Sequence, residues 1–449
     1  MNPTLLSAWH STLRADPAAL AFVDTRAGLR LTRAELATRA ASWRDTFGRG
    51  LAGQTVVLAE ANRPEWFQVF LGLLEAEAVV APLDPGEPLA AQLATAAAIR
   101  AGWLWSGGEL RAVAGRGKRS RDGRRVVKLT SGSTGTPRAL AFTDAQMLAD
   151  GRQVCAGMAI RPDDVNFGLI PFGHSYGLGN LVVPLLAQGT ALVAGGGFLP
   201  QEVAETIARE RPTVFPAVPA LLRALVAADI APEKLASLRT VISAGAPLAP
   251  EIAEAFWVKF GRKVHSFYGS SETGGITYDR SGDAARTGRS VGSPLPDVEL
   301  VFSRAGRVVV SSPAVFTLGN RRRDARGLGE YRTPDITARV AGGEVALLGR
   351  AGRWVKIASR RLNLAEVERA LKAVPGVREA LVTVHGGRTD ALAAAVATEL
   401  PADAVRAALA ARLAGWKVPK KLLCLPAFPL TARGKTDTTA LRRQLGGER

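Results

Sequence analysis

The sequence predicts an α/β protein built on mainly parallel sheets with flanking helices, and three observations carry that prediction. Short apolar runs bounded by turn residues alternate with helical patterns from the N-terminus through Val241–Leu248, which is the rhythm of βαβ units. The last stretch, by contrast, reads as a small α+β unit, with strands at Val377–Val384 and Ala391–Ala397 and a helix at Ala402–Leu413. No internal repeat is visible at a solenoid period. At 449 residues, with 47% apolar and 22% charged content, the chain can bury a large core and divide into two or more domains.

The elements follow in order. Leu29–Thr32 leads into an amphipathic helix from Arg33 to about Phe47, capped by Thr32. Thr55–Ala59 is a short strand, Pro64–Ala76 a helix, and Val79–Leu83 a buried strand ending at Asp84-Pro85-Gly86. Val126–Leu129 and Ala139–Phe142 flank Thr130-Ser131-Gly132-Ser133-Thr134-Gly135-Thr136-Pro137. That arrangement reads as a loop between two strands, with the next helix starting at Thr143-Asp144 and running to Met158. Leu178 to Leu199 carries no charge and is long enough to span a bilayer. Its Asn, Pro, Gln and Gly residues favour a buried helical turn at Leu181–Ala187 and a strand at Thr190–Ala194. Helices follow at Glu202–Arg209 and Pro219–Ala227, with a strand at Thr213–Ala217 between them. Val241–Leu248 then runs a strand into a turn.

Charge and cysteine content narrow the function classes. Lys and Arg outnumber Asp and Glu by 18, a field that favours polyanionic partners such as nucleotides, coenzyme A or acidic proteins. The densest basic cluster, residues 116–125, lacks interleaved aromatics, so it reads as a mobile solvated loop and not a nucleic-acid patch. Cys155 and Cys424 give no disulfide framework and read as core residues; the four histidines are scattered, without zinc spacing. No signal peptide or stable membrane insertion is read, and a cytoplasmic location is expected.

The chemistry concentrates in the small-residue loop. It has no side chain larger than Thr apart from Pro137, so backbone N–H groups can turn toward an anion. Thr130, Ser131, Ser133 and Thr134 add hydroxyl donors, and Arg138 adds a fixed charge. The P-loop pattern does not fit, since no Gly-Lys opens a helix here.

The stretch TSGSTGTPR resembles the phosphate-binding signature of the ANL superfamily of adenylate-forming enzymes: acyl-CoA synthetases, peptide-synthetase adenylation domains and luciferases. That signature ends in Lys, where this chain has Arg138. Five further motifs appear in the family's order, and the resemblance covers nearly the whole chain, with a shortened N-terminal domain. Pro171-Phe172-Gly173-His174-Ser175-Tyr176-Gly177 resembles its Pro-x-x-His-x-x-Gly element, which implies that His174 borders the acyl pocket near the reacting carboxylate. Ser243-Ala244-Gly245-Ala246 is similar to a segment lining the acyl and adenine pockets. Tyr268-Gly269-Ser270-Ser271-Glu272-Thr273-Gly274 looks like Tyr-Gly-x-Thr-Glu, implying an adenine-bordering Tyr268 and a magnesium-holding Glu272. Tyr331-Arg332-Thr333-Pro334-Asp335 resembles Tyr-x-Thr-Gly-Asp, implying that Asp335 accepts the ribose hydroxyls, with Pro334 departing from Gly. Leu430–Asp437 looks like the final motif, implying that Lys435 reaches the carboxylate and the α-phosphate.

The same resemblance implies the domain plan and the reaction. An N-terminal AMP-binding domain would span 1–348, a hinge 349–353, and a small mobile C-terminal domain 354–449. Arg350 would reach the ribose or phosphate, Gly352 would be the hinge residue, and Ser359 replaces a Gly over which a pantetheine arm passes. Catalytic residues would be Lys435, His174 and Glu272. The nucleotide would be held by Thr130, Ser131, Gly132, Ser133, Thr134, Gly135, Arg138, Gly245, Ala246, Tyr268, Gly269, Ser271, Asp335 and Arg350. The acyl pocket would take His174, Ser243, Ala244, Gly245 and Gly274. The implied reaction is ATP- and Mg²⁺-dependent ligation of a carboxylic acid to coenzyme A or to the phosphopantetheine of an acidic acyl carrier protein. Peptide-synthetase domains place an Asp near His174 to pair a substrate ammonium; this chain has none in that segment, which argues against an α-amino acid. Two other readings stay open: a catalytically weak adenylate-binding scaffold, and another adenylate-forming activity such as that of luciferases.

Overall fold

We describe the protein from a computed structural model, which describes residues 3–114, 119–120, 122–130, 138–303, 306–320, 322–350, 354–357, 360–384, 391–431 and 436–446. The chain divides into two compact units. The first takes Met1–Phe302, Val309–Arg332 and Arg339–Ala346; the second takes Ser303–Val308, Thr333–Ala338 and Leu347–Arg449.

Local sequence explains the elements of the first unit. The helix Arg33–Phe47 starts where Thr32 and Glu35 form a reciprocal capping box. Thr143 and Gln146 do the same for the helix Asp144–Met158. The helices Pro64–Glu75, Pro200–Glu210, Pro219–Ala227 and Pro250–Phe260 each begin on a proline at the first position, where its missing N–H costs nothing. The expected strands at Thr55–Ala59 and Val79–Leu83 form as read. Others are trimmed: Val214–Ala217 loses Thr213, and Ala191–Ala194 loses Thr190.

Among the described residues, two sheets organise this unit. The larger has nine strands, in the spatial order Ser293–Pro294, Gly274–Tyr278, Val264–Ser270, Thr240–Ser243, Val214–Ala217, Val165–Phe167, Ala191–Ala194, Leu20–Asp24 and Leu29–Thr32. Its central pairings are parallel and its outer hairpins antiparallel. The smaller has six, in the order Glu109–Ala112, Trp103–Ser106, Thr55–Ala59, Val79–Leu83, Val126–Thr130 and Arg138–Phe142. The last two pair antiparallel from Val126↔Phe142 to Thr130↔Arg138. The small-residue loop therefore does connect two strands, as its flanks predicted.

The uncharged stretch from Leu178 is a buried π-helical turn, Leu178–Val182, continuing as the helix Val183–Gln188. No helix among the described residues is long and apolar enough to cross a membrane. In the described part of the basic cluster, Arg119, Asp122 and Gly123 are exposed and Ser120, Arg124 and Arg125 half-exposed. Ser120 N–H donates to Gly53 O at 2.7 Å, and Arg124 pairs with Asp122, pushing that carboxyl well below the usual range. Cys155 is buried and its thiol is pushed up to about 12 by burial, whereas Cys424 is only partly buried.

In the second unit, the strand pairs Trp354–Ile357 with Arg360–Asn363 and Glu379–Val384 with Leu392–Ala397 are antiparallel. Lys421–Leu425 adds in parallel to Leu392–Ala397. The helices Leu364–Lys372 and Ala402–Ala410 cover this sheet through Val367, Leu371, Val405 and Leu409. A last helix, Thr438–Gln444, buries Leu441 against Leu381 and Phe428. It went unread from sequence because so short a segment offers few helical repeats.

Candidate active site

The site grows from the turn carrying His174, and two anchors set that turn. Phe172 is fully buried in a cluster with Phe22, Trp66 and Phe67, at ring separations of 6.1, 5.6 and 5.2 Å. Asn62 makes three hydrogen bonds to the same backbone. Its Nδ2 donates to Gly168 O at 2.9 Å and Ile170 O at 2.8 Å, and its Oδ1 accepts from Phe172 N–H at 2.9 Å. Gly177 is required by close approach, since a Cβ there would stand 2.1 Å from Pro171 O. His174 is half-buried and caps the short helix that follows, accepting the Tyr176 N–H on Nδ1 at 3.3 Å. In the neutral ring this leaves the proton on Nε2.

The neighbouring hairpin pairs Val264–Ser270 with Gly274–Tyr278. Gly269 lets its strands close, because a Cβ there would lie 2.6 Å from Gly274 O. Ser175 Oγ donates to Ser271 Oγ at 2.8 Å, fastening the His174 turn to this hairpin. Tyr268 is buried, Gly269 exposed and Ser271 half-buried. His265 stacks on Tyr278 at 5.5 Å and donates from Nδ1 to Asp279 O at 2.8 Å. Burial pulls its pKa below the usual histidine value despite that bond.

Glu272, with its side chain 16% exposed, gathers two further motifs. Tyr331 Oη donates to its Oε1 at 3.0 Å, and Arg138 Nη1 lies 3.9 Å from the same oxygen. Burial, then the Glu272 charge, pushes the Tyr331 phenol up to about 12, with Arg138 pulling the other way. Phe316 N–H donates to Glu272 O at 3.0 Å, and its ring lies 6.0 Å from those of Tyr331 and beneath Arg138. Thr130 Oγ1 donates to Arg138 O at 3.5 Å across the base of the loop.

Thus Thr130, Arg138, Glu272, Ser271 and the turn carrying His174 form one run of neighbours within the first unit, joined at Arg138–Glu272 and at Ser175–Ser271. Ser243 and Ala244 are buried at the end of the adjoining strand, and Ser243 Oγ has no hydrogen-bond partner among the described residues. Gly245, at φ +84°, and Ala246 follow, exposed. Gly274 is buried, and its missing Cβ would point at Asp150. Asp335 belongs to the second unit; it is 8% exposed within the strand Glu330–Arg339, not in a surface turn. Arg350 ends a strand of that unit. Ser131, Gly132, Ser133, Thr134, Gly135, Gly352, Ser359 and Lys435 lie outside the described residues.

Sequence reasoning passed over Asn62, the Tyr331–Glu272 bond, and Lys128 with Asp150. Only Lys128 left a local signal, a charge inside an otherwise apolar strand.

The chain is similar to known proteins in sequence and in fold. The AMP-binding enzyme family matches residues 117–310, and the AMP-binding enzyme C-terminal domain matches residues 366–435. The 2-hydroxy-7-methoxy-5-methyl-1-naphthoate–CoA ligase of Streptomyces carzinostaticus is 29% identical over 356 residues, covering 72% of this chain and 62% of the relative. The L-proline–[L-prolyl-carrier protein] ligase of Pseudomonas fluorescens is 26% identical over 343 residues, covering 72% and 68%. In fold, the crystal structure of ATP-bound MatB from Rhodopseudomonas palustris superposes with a TM-score of 0.84 at 23% identity, over 99% of both chains.

Proposed function

The chain belongs to the AMP-binding enzyme family of the adenylate-forming superfamily, and from that premise we propose that it is an ATP-dependent acid–thiol ligase that forms AMP. The observation that carries the reading is the Glu272 carboxylate beside Arg138, with the His174 turn fastened alongside through Ser175 and Ser271. An arginine, a carboxylate and the turn that carries a histidine thus stand on adjoining segments, which supports a site that would hold phosphates beside an acid.

In the first half-reaction a carboxylate oxygen of the acid attacks the α-phosphorus of ATP. The new P–O bond forms as the bond to pyrophosphate breaks, leaving an acyl-adenylate. Thr130 through Gly135 and Arg138 hold the departing phosphates; Gly245, Ala246, Tyr268, Gly269 and Ser271 border the nucleotide. Asp335 and Arg350 take the ribose. His174 and Lys435 steady the carboxylate as charge develops, and Ser243, Ala244, Gly245 and Gly274 line the acid's pocket. Mg²⁺ fits the donor set, because it is bound by one or two carboxylates plus phosphates and water. Glu272 supplies one carboxylate, and no cluster of three His, Cys, Asp or Glu stands among the described residues. When bound, Mg²⁺ neutralises the leaving phosphates.

In the second half-reaction the domain formed by 354–449 turns about Gly352, within the hinge 349–353. A phosphopantetheine thiol then attacks the acyl carbon, forming the thioester and releasing AMP. The acid is not an α-amino acid on this reading, since the segment Leu169–Gly177 around His174 holds no carboxylate to pair a substrate ammonium, and Asp150, which lies against Gly179, is already paired with Lys128. Both coenzyme A and an acidic carrier protein suit the basic surface. Two basic clusters of the sequence, Arg321-Arg322-Arg323 and Lys420-Lys421, are partly engaged within the chain, however: Arg323 donates to Asn320 O and Thr317 O, and Lys421 to Gln444 O. Thioester yield with each thiol at low and high salt decides between them. We place the enzyme in the cytoplasm, where its co-substrates are.

The test is product identity together with Lys435→Ala. Acid-dependent release of AMP is expected, and the substitution should lower adenylation by about 100-fold or more, the scale of a lost transition-state stabiliser. Thioester formation from supplied acyl-adenylate should be spared. Release of ADP, or equal loss in both half-reactions, contradicts the assignment.

A further inference from the structure

Behind the site lies an ion pair that the reaction does not use. Lys128 is 2% exposed and Asp150 3%. Lys128 Nζ stands 3.3 Å from Asp150 Oδ2 and 4.4 Å from the centre of the Phe142 ring. Lys128 sits on the strand Val126–Thr130, two residues before Thr130. Asp150 sits on the buried helix Asp144–Met158.

The carboxylate touches three site segments at once. Its Oδ2 holds Lys128, on the strand that enters the small-residue loop. Its Oδ1 accepts Gly275 N–H at 3.0 Å, on the strand that leaves the Tyr268–Glu272 hairpin. It also packs against two glycines. A Cβ on Gly274, which has φ +71°, would stand 2.3 Å from Oδ1, and one on Gly179, just beyond the His174 turn, 3.1 Å from Oδ2.

A buried pair of this kind is a poor source of net stability, because desolvating two charges offsets most of their attraction. What it fixes is geometry: a charge in low dielectric tolerates no slippage from its partner. We infer that Lys128 and Asp150 are positioning residues, which lock the strand entering the phosphate loop against the Tyr268–Gly275 hairpin and so set where the nucleotide phosphates meet Glu272. This rests on the adenylating reading of the site, whereas the pairing itself does not.

The test separates geometry from stability. Lys128→Met leaves Asp150 as an unpaired buried charge and should lower the melting temperature. The double variant Lys128→Met/Asp150→Asn removes both charges but keeps the side-chain shapes and the acceptor for Gly275, so its melting temperature should recover. Its ATP affinity, titrated directly, should remain roughly tenfold below wild type, and its acid-dependent ATP–pyrophosphate exchange about 100-fold lower, the scale of a misplacement of about 1 Å. A folded double variant that binds ATP and exchanges like wild type overturns the inference and leaves the pair merely structural. Asp150→Asn alone is read in the same way should the double variant not fold. A wild-type chain that binds ATP yet exchanges with no acid removes the adenylating reading, while the comparison of ATP affinities still decides the role of the pair.

Discussion

Tyr331 donates its hydroxyl to Oε1 of Glu272 at 3.0 Å, across 59 residues of chain. Its raised pKa keeps the phenol protonated, and so a donor, at every physiological pH. The carboxylate proposed to hold magnesium is therefore oriented by a neutral donor and flanked by a cationic one, Arg138.

Removing the neutral donor isolates its role. Tyr331→Phe keeps the ring against Phe316 but frees Glu272 to rotate. The Mg²⁺ concentration for half-maximal exchange should rise by about tenfold, as when a ligand loses its supporting hydrogen bond. Unchanged magnesium dependence would show that Glu272 needs no such support.

Arg138 is a different case. Its side chain is 56% exposed, and its 3.9 Å contact with Glu272 is long, so the pair itself contributes little. Arg138→Lys keeps the charge and should leave exchange within about threefold of wild type. A large fall in kcat with an intact fold would assign the guanidinium fork its own role on the phosphates.

Asn62 should behave as the keystone of the His174 turn. Asn62→Ala abolishes three hydrogen bonds to half-buried backbone and should cost about 1–3 kcal/mol of stability. Because the displaced turn carries His174, KM for the acid should rise more than KM for ATP. An equal change in both would place the effect in the fold alone.

His265 predicts a pH dependence of stability. Its folded pKa lies below the ordinary value of 6.5, chiefly through burial. The unfolded chain therefore takes up the proton first as pH falls, so the stabilisation is complete above about 6.5 and declines below it. His265→Phe, which keeps the stack on Tyr278, should show a shallower fall in melting temperature between about pH 7 and pH 5. Parallel profiles for the two proteins would exclude His265 as a source of that slope.

Much of this architecture was legible because it is local. The helix Arg33–Phe47 is announced by Thr32 and Glu35, and the strand Thr55–Ala59 by a β-branched run between turn residues. Ordered motifs named the candidate site, and among the described residues Arg138 lies beside Glu272 while the His174 turn is fastened to the same hairpin through Ser175 and Ser271. What stayed hidden is tertiary. Asn62 acts on backbone more than 100 residues away, and Lys128 meets Asp150 from a different element. Periodicity reports which face of an element is buried, not which side chain of another element it meets.

The most direct test of the account is ATP–pyrophosphate exchange by the wild-type chain over a panel of aryl, fatty, hydroxy and α-amino acids. Exchange should appear with at least one carboxylic acid outside the α-amino class, depend on Mg²⁺, and fall with Glu272→Gln by about 100-fold. Exchange with no acid while ATP still binds would contradict the account and leave an adenylate-binding scaffold; exchange confined to α-amino acids would overturn the substrate class.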